Sequence, residues 1–473
     1  MGQEISAAHF SDADFAEYRE RLARETILLR EMLEQGALDH GAPMAGCELE
    51  AWLVDELGQP APNNQAFLRQ LQDPDVVPEL STFNVELNTA PQLLQPGALE
   101  KLHQQLLALW QRCEQHAQQQ HMHLLMIGIL PTVRQSDLCL ANISSMQRFK
   151  ALNEQIFRLR NGAPIELDIE GGEHLTMTHH DLMLEAATTS YQIHYKVDAD
   201  QAVRAFNASK ILSAPLVAIA ANSPYLFGYD LWDETRIPLF EQSVSVGGSD
   251  YTQRVTFGVR YARNSIMEVF EANRDRYPVL LPELMSTAPQ EFAHLRLHNG
   301  TIWRWNRPLI GFSGDGQPHI RIEQRVTPAG PTLVDMMANT AFYFGAMTAL
   351  IAQQEAPEHE LPFELAAQNF YRCARQGLHA NVTWLKGTRG RMQELLAQQL
   401  LPLADQGLQM LGYTPAEAEH WLGIVRERVL SGRTGSWWQR NWITRHGRNF
   451  GELVQTYQAL QIQDQPVHTW PTR

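Results

Sequence analysis

The sequence predicts an α+β fold built on a mainly antiparallel sheet. Four segments, 47–53, 83–88, 190–197 and 319–326, alternate apolar and polar residues with the two-residue period of a strand. The stretches between them, and nearly all of the last hundred residues, carry helical spacing instead. No internal repeat or low-complexity tract breaks the chain. Residues 1–360 are therefore expected to form one catalytic-sized unit with an N-terminal helix, and 361–473 a helical part packed on the same domain.

From Ser11 to about Glu34, the apolar residues Phe15, Tyr18, Leu22, Leu29 and Leu33 recur at helical spacing, with Ser11 placed to cap the N-terminus. Met44–Asp55 alternates as a strand and "GQPAPN" follows as a loop; Ser81–Ala90 gives a second strand. Pro96-Gly97 opens a long amphipathic helix through Leu99, Leu102, Leu106, Leu109 and Cys113. His123–Leu130 is an apolar run ended by Pro131, expected as a buried strand, and Gln147–Asn161 is helical. Thr188–Asp198 alternates as a third strand. Asp200–Ala221 reads as a helix interrupted or bent at Pro215. Asn222–Asn306 is rich in Gly, Asn and aromatic residues and shows no usable period. After the fourth strand, His319–Val326, Thr332 and Asp335 resemble a capping box. Phe363–Gln376, Arg389–Leu411, Pro415–Leu430 and Phe450–Leu460 read as helices.

A hydrophobic content of 44% with 19% charged residues fits a soluble globular protein. The net charge of −15 argues against a general nucleic-acid surface, so an anionic ligand requires a local cluster of Arg or Lys. There is no apolar signal core at the N-terminus and no run judged long enough to span a membrane, which predicts a cytoplasmic protein without a membrane partner. Cys47, Cys113, Cys139 and Cys373 show no C-x-x-C pairing and are expected as reduced thiols, Cys47 in the core.

The content of the polar strand faces points to chemistry. The first strand shows Glu48 and Glu50, the second Asn84, Glu86 and Asn88, the third Ser190, Gln192, His194 and Lys196, and the fourth His319, Arg321, Glu323 and Arg325. An antiparallel sheet with one wet face gives such alternation without any chemistry. Placed side by side, however, these faces make an acidic pocket with arginines at its rim. Clustered carboxylates repel one another and need compensating cations. Mg²⁺ is the hard, oxygen-seeking choice, commonly shared between carboxylates and a substrate phosphate. Residues i and i+2 of a strand stand roughly 6.5–7 Å apart, so their carboxylates can lean onto different ions of a pair. Arginine forks beside them suit phosphate or carboxylate oxygens. This set describes phosphoryl transfer from a nucleotide, without the G-x-x-x-x-G-K motif of a P-loop.

In the order E-x-E, Glu before "NT", Q-x-H, then R-x-E-x-R, the sequence resembles the carboxylate–amine ligases of the glutamine synthetase-like fold, and most closely the type-2 glutamate–cysteine ligases. "GCELEAWLVD", "PELSTFNVELNTAP", "AIAANSPYLFG" and "RIEQR" carry the likeness, from about Gly46 to the C-terminus. It implies a curved sheet of the glutamine synthetase catalytic-domain type, ATP and Mg²⁺ as cofactors, and small-molecule substrates: ATP, an amino acid such as glutamate, and an amine such as cysteine. The product would be a γ-glutamyl amide formed through an acyl phosphate, as in glutathione biosynthesis. The resemblance gives Glu48, Glu50, Glu79, Glu86 and Glu323 as metal ligands. Gln192 or His194 takes the neutral metal-facing position, with His194 favoured; family members often carry H-x-H there. Arg321 would contact nucleotide phosphate, Arg325 the transferred phosphoryl group or the substrate carboxylate. Arg304 and Arg307 in "WRWNRP" would lie near the substrates, and Gln192 near the nucleotide.

Two other functions compete with this one. A catalytically silent member of the fold, acting as a nucleotide or amino-acid sensor or scaffold, would bind nucleotide without forming ADP. A Glu/His metal hydrolase would work with zinc and without ATP. His179-His180-Asp181 reads as a polar loop before the third strand, and His121 and His123 as a satisfied or exposed pair. Trp437, Trp438, Trp442 and Trp470 suggest helix packing or a subunit contact, which leaves a homo-oligomer open.

Overall fold

Strand β1 (Met44–Asp55) is the spine of an eight-stranded sheet in the computed structural model, which describes residues 4–248 and 251–472. β2 (Val76–Pro78) and β3 (Asn84–Asn88) lie on one side of it; β8 (Tyr191–Val197), β12 (Pro318–Gln324) and β11 (Asn306–Phe312) follow on the other. β4 (Gln92–Leu93) and β5 (Met122–Leu125) pair with the two ends of β1, and every pairing is antiparallel. A hairpin of β6 (Ile165–Glu170) and β7 (His174–His179) and a small one of β9 (Tyr225–Leu226) and β10 (Tyr229–Asp230) stand apart.

The first helices form where the periodicity places them. α1 (Asp12–Glu34) is capped by Ser11, which accepts from the Asp14 amide while Asp14 accepts from the Ser11 amide. α2 (Asn64–Leu71) escaped the sequence reading, while α3 (Ala98–Gln118) and α4 (Gln147–Leu159) follow where expected. α5 (Ala202–Ala220) continues through Pro215 as one helix rather than breaking there. With the turn before it (Ala199–Ala220), it is long and apolar enough by composition to cross a membrane, contrary to the sequence expectation. That window is 89% buried, and α5 packs against α9 (Leu333–Ala352), α11 (Phe363–Gln376) and β12.

The back of the sheet rests on α5 and α9. Tyr191 donates its hydroxyl to Cys47 Sγ at 2.8 Å and lies 2.9 Å from Thr340 Oγ1 on α9. Burial pushes the Cys47 thiol up to about 12; this and the three other cysteines are free thiols. The front of the sheet is covered too, so β1 is buried along nearly its whole length.

That cover comes from the stretch the sequence left unassigned. It contains α6 (Arg236–Ser243), α7 (Met267–Arg276) and α8 (Ala293–Gly300), joined by irregular chain. Single side chains hold the irregular parts. Buried Arg254 donates to Thr301 O at 2.9 Å, Asn207 donates to Ala262 O at 2.8 Å, and Glu268 accepts from the amides of Arg263 and Asn264. Such anchoring leaves no periodic signature.

Elsewhere the apolar run His123–Leu130 forms a strand only as far as Leu125. Its next backbone groups are taken by side chains instead: Met126 O accepts from Gln461 Nε2 (2.7 Å) and Ile127 O from Trp52 Nε1 (3.2 Å). His179 ends β7 with Nε2 2.7 Å from Asp181, which caps the turn Leu182–Ala187, so this segment is part strand and part cap rather than a loop. His123 is satisfied by Glu114 at 2.7 Å, while His121 is exposed. α10 (Pro357–Glu360) leads into the C-terminal helices. The segment from Arg389 begins as a short strand (Arg389–Arg391) paired with Asn381–Thr383 before α12 (Met392–Leu395), a π-turn at Leu396–Leu400 and α13 (Leu401–Met410). α14 (Pro415–Ser431), α15 (Gly435–His446) and α16 (Phe450–Gln461) complete the chain; α15 escaped the sequence reading. Trp438 on α15 packs within the chain, its ring 5.2 Å from Trp470 and 5.9 Å from Tyr457.

α13 lies against α9 at backbone contact. A Cβ added at Gly407 would fall 1.8 Å from the Gly345 carbonyl oxygen, and one at Gly345 would fall 2.1 Å from that of Ala404. Gly407→Ala is expected to destabilise the fold by at least about 1–3 kcal/mol, read as a lower urea midpoint. Gly314→Ala, where an added Cβ meets nothing within 4 Å, is expected to stay within about 0.5 kcal/mol of the parent.

Candidate active site

Antiparallel register turns local alternation into one shared floor. Glu50 of β1 stands opposite Glu86 of β3, and Glu48 opposite Gln192 of β8. His194 stands opposite Glu323 of β12, and Glu323 opposite Arg307 of β11. All these side chains face the covered front of the sheet, where they line or adjoin a cleft enclosing about 1440 Å³, part of it open to solvent. α4, the turn Leu182–Ala187, α6, α7 and α8 roof it.

Two trios of ligand-type side chains form on this floor. Glu48, His194 and Glu323 make one; Glu50, Glu79 and Glu86 make the other. Within each, the candidate ligand atoms lie within 4.8 Å of one another. His194 Nε2 is 3.1 Å from Glu48 Oε1, and its Nδ1 has no hydrogen-bond partner among the described residues. Gln192 sits between the trios and donates to Glu50 Oε1 at 3.0 Å. Arg307 grips Glu323 with a fork, Nε to Oε2 at 2.5 Å and Nη2 to Oε1 at 2.8 Å, and Arg325 Nη1 lies 3.5 Å from the same carboxylate.

The two trios differ electrostatically. Burial works against ionisation at Glu323, yet Arg307 and Arg325 hold its carboxyl down at about 2. At Glu48 burial is likewise overcome, with His194 and Arg321 among the charges that hold the group well below the usual carboxylate range. In the second trio burial prevails. It pushes Glu50 up to about 7, with the Glu86 charge adding to it and Arg325 opposing. It pushes Glu86 up to about 7, with Glu48 and Glu79 adding, and raises Glu79 with help from Glu50. Carboxylates that hold protons at neutral pH in a bare cluster are ones a divalent cation would discharge. Five carboxylates and one imidazole form a donor set that fits a pair of hard divalent cations.

Of the remaining sequence candidates, Arg321 and Arg325 line the cleft. Arg325 is held from behind by fully buried Arg236, whose Nη2 donates to the Arg325 carbonyl at 2.9 Å. Arg304 turns away from the cleft, donating to the Tyr277 hydroxyl at 2.8 Å, and is not among the lining residues. Sequence reasoning passed over Arg148, Glu185 and Arg296, all of which line the cleft. Arg148 lies in the first turn of an ordinary amphipathic helix, Glu185 in a turn, and Arg296 in the unassigned stretch, so no spacing marks them.

The sequence model of glutamate-cysteine ligase family 2 matches residues 44–458. Among solved structures, the fold is similar to a glutamate–cysteine ligase from Francisella tularensis in complex with AMP, with a TM-score of 0.58 and 12% identity over 91% of this chain and 90% of that one. It is also similar to a bifunctional glutathione synthetase from Pasteurella multocida, with a TM-score of 0.52 and 10% identity over 93% of this chain and 55% of that one. No curated protein sequence matches.

The second trio is expected to make stability depend on pH, and on a divalent cation where one discharges its protons. Glu50 and Glu86 keep their protons up to about pH 7 when folded, against an ordinary value of 4.5. Their contribution is therefore full below about 4.5 and is lost as pH rises through 7. In EDTA, the melting temperature is expected to fall between pH 5 and pH 8, each group accounting for a loss on the order of a few kcal/mol. Saturating Mg²⁺ should reverse the fall at pH 8, and Glu86→Gln should flatten the EDTA profile; differential scanning calorimetry reads both.

Proposed function

Because the chain belongs to glutamate-cysteine ligase family 2, we propose that its acidic, arginine-lined cleft joins a substrate carboxylate to an amine, with ATP consumed and ADP and phosphate released. The observation that carries this is the pair of three-ligand clusters on one sheet face, with an arginine fork fixed on Glu323 between strands.

In this proposal Glu48, His194 and Glu323 hold one magnesium ion, and Glu50, Glu79 and Glu86 the other. Magnesium supplies charge withdrawal from the phosphate oxygens. Arg321 contacts the phosphates of the nucleotide. Arg325 meets the transferred phosphoryl group or the carboxylate that attacks it. Arg307 is too fully engaged by Glu323 to serve as a free phosphate clamp; it keeps that ligand ionised and fixed in direction. The γ-carboxylate of glutamate, unreactive toward an amine as it stands, attacks the γ-phosphorus of ATP and expels ADP, giving an acyl phosphate; the amine nitrogen then attacks the acyl carbon, expels phosphate and gives up a proton. The protein contributes alignment and a preset field more than covalent chemistry.

Incubation with Mg-ATP, glutamate and a mixture of amino acids, followed by ADP assay and product mass spectrometry, tests this. The expected product has the mass of glutamate plus one amine less one water. Glu323→Gln and Arg325→Ala are each expected to lower kcat roughly 10²–10³-fold with the fold intact. No ADP with any amine, from a folded sample, overturns the reading, and tight nucleotide binding without ADP formation would make the protein a sensor instead.

A further inference from the structure

Three buried cations stand outside the cleft with no acid to answer them. Lys210 on α5 is 1% exposed, Arg304 8% and Arg254 0%, and none of them lines the cleft. Among the described residues no carboxylate lies within 4.0 Å of their charged nitrogens. Lys210 Nζ donates to Phe257 O at 2.6 Å and lies 4.8, 5.0 and 6.0 Å from the ring centroids of Phe206, Phe257 and Phe363. Arg304 donates to the Tyr277 hydroxyl at 2.8 Å, and its Nε has no hydrogen-bond partner among the described residues. Arg254 shares the same aromatic ring, its Cζ 5.7 Å from the Tyr277 centroid against 5.5 Å for Arg304.

Gly258 brings Lys210 and Arg304 to a common point. A Cβ added there would fall 3.1 Å from Lys210 Nζ and 4.0 Å from Arg304 Nη1, and beyond its chain neighbours would meet nothing else within 4 Å. The φ of 99° at Gly258 is one that a residue with a side chain rarely adopts, so the backbone itself keeps that point clear of a side chain. Gly258 is partly exposed, which leaves an approach from solvent.

Like charges withdrawn from water oppose folding unless they are countered. Burial, with Arg304 adding to it, pushes the Lys210 ammonium well below its ordinary range. Ring faces and a carbonyl attract an ammonium but bring no net charge, and a water at Arg304 Nε would satisfy a hydrogen while leaving the charge in place. An anion answers both cations at once. In a chain of net charge −15 this is the local cluster that an anionic ligand requires. We propose that Lys210 and Arg304 bind a small monovalent anion, of the size of chloride, beside Gly258. The point faces two cations and has the room of a single heavy atom, which suits a halide; phosphate or sulfate would need donors around four oxygens. The bound anion fastens residues 256–262 to α5 and to the chain before β11. The same segment is already tied to both, through Asn207 on Ala262 O at 2.8 Å and the Trp305 amide on Thr256 O at 3.3 Å.

The parent protein, exchanged into gluconate and titrated with chloride at constant ionic strength, tests this by chloride NMR line width and scanning calorimetry. Saturable excess broadening is expected, with a saturable rise in melting temperature on the order of 1–3 °C. Bromide should reproduce both, and sulfate and phosphate neither. Arg304→Gln and Lys210→Met should each lose the broadening and the rise, with circular dichroism checking that they fold. In crystals of the parent grown with bromide, the anomalous peak is expected beside Gly258, which keeps the proposal testable where a variant does not fold; no peak there overturns it. So does a parent without a saturable chloride signal, or one that responds equally to sulfate. A signal that survives in folded Arg304→Gln overturns it as well, by placing the anion among the cleft arginines or reducing the effect to general screening.

Discussion

Carboxylates crowded on one buried sheet face are the constraint to which the rest of the molecule answers. Glu48, Glu50, Glu86 and Glu323 are each at most 8% exposed, and antiparallel pairing fixes them in a common plane. A sheet does not tolerate this for stability's sake, because like charges removed from water oppose folding. The surrounding structure shows how the opposition is met. A buried Arg fork takes one acid, an imidazole approaches another, and amide groups of Gln192, Asn88 and the Ser190 backbone take part of the rest.

The compensation is deliberately uneven in its effect. Positive charge is concentrated on the β11–β12 side, where Glu323 stays ionised, and thins out toward β3, where Glu50 and Glu86 retain protons near neutrality. One half of the floor thus presents preformed negative charge. The other half gains it only when something positive arrives. A cation reaching the second trio would have to displace protons that one reaching the first would not, and the grading avoids the self-repulsion that five permanent charges would impose on the fold.

The floor was legible in the sequence because a strand's period is local. Two residues apart means the same face, whatever the tertiary context, so Glu48 with Glu50 and Arg321 with Glu323 could be grouped before any strand order was known. The choice between Gln192 and His194 was not local. It depends on β8 lying between β1 and β12, which sets His194 opposite Glu323 and Gln192 opposite Glu48. The roof was illegible for a related reason. Residues 222–306 are fixed by Arg254, Asn207 and Glu268 reaching across to backbone groups, bonds that no residue spacing announces. Arg304 illustrates the limit: in sequence it flanks Arg307 at the site, but the chain before β11 turns it onto Tyr277.

This division of labour has a chemical consequence. The floor is bound by ladder hydrogen bonds and backed by two long helices, so its ligands can shift little relative to one another. The roof is a set of helices and turns held by individual side chains, and the walls it contributes, among them Phe149, Phe240 and Phe270, belong to no strand of the floor. Replacing a wall residue changes the shape offered to a substrate while leaving the ligand spacing of Glu48, Glu86 and Glu323 untouched. The spacing of the floor's carboxylates therefore rests on the part of the fold that is hardest to deform, and the shape of the cleft on the part most easily rebuilt.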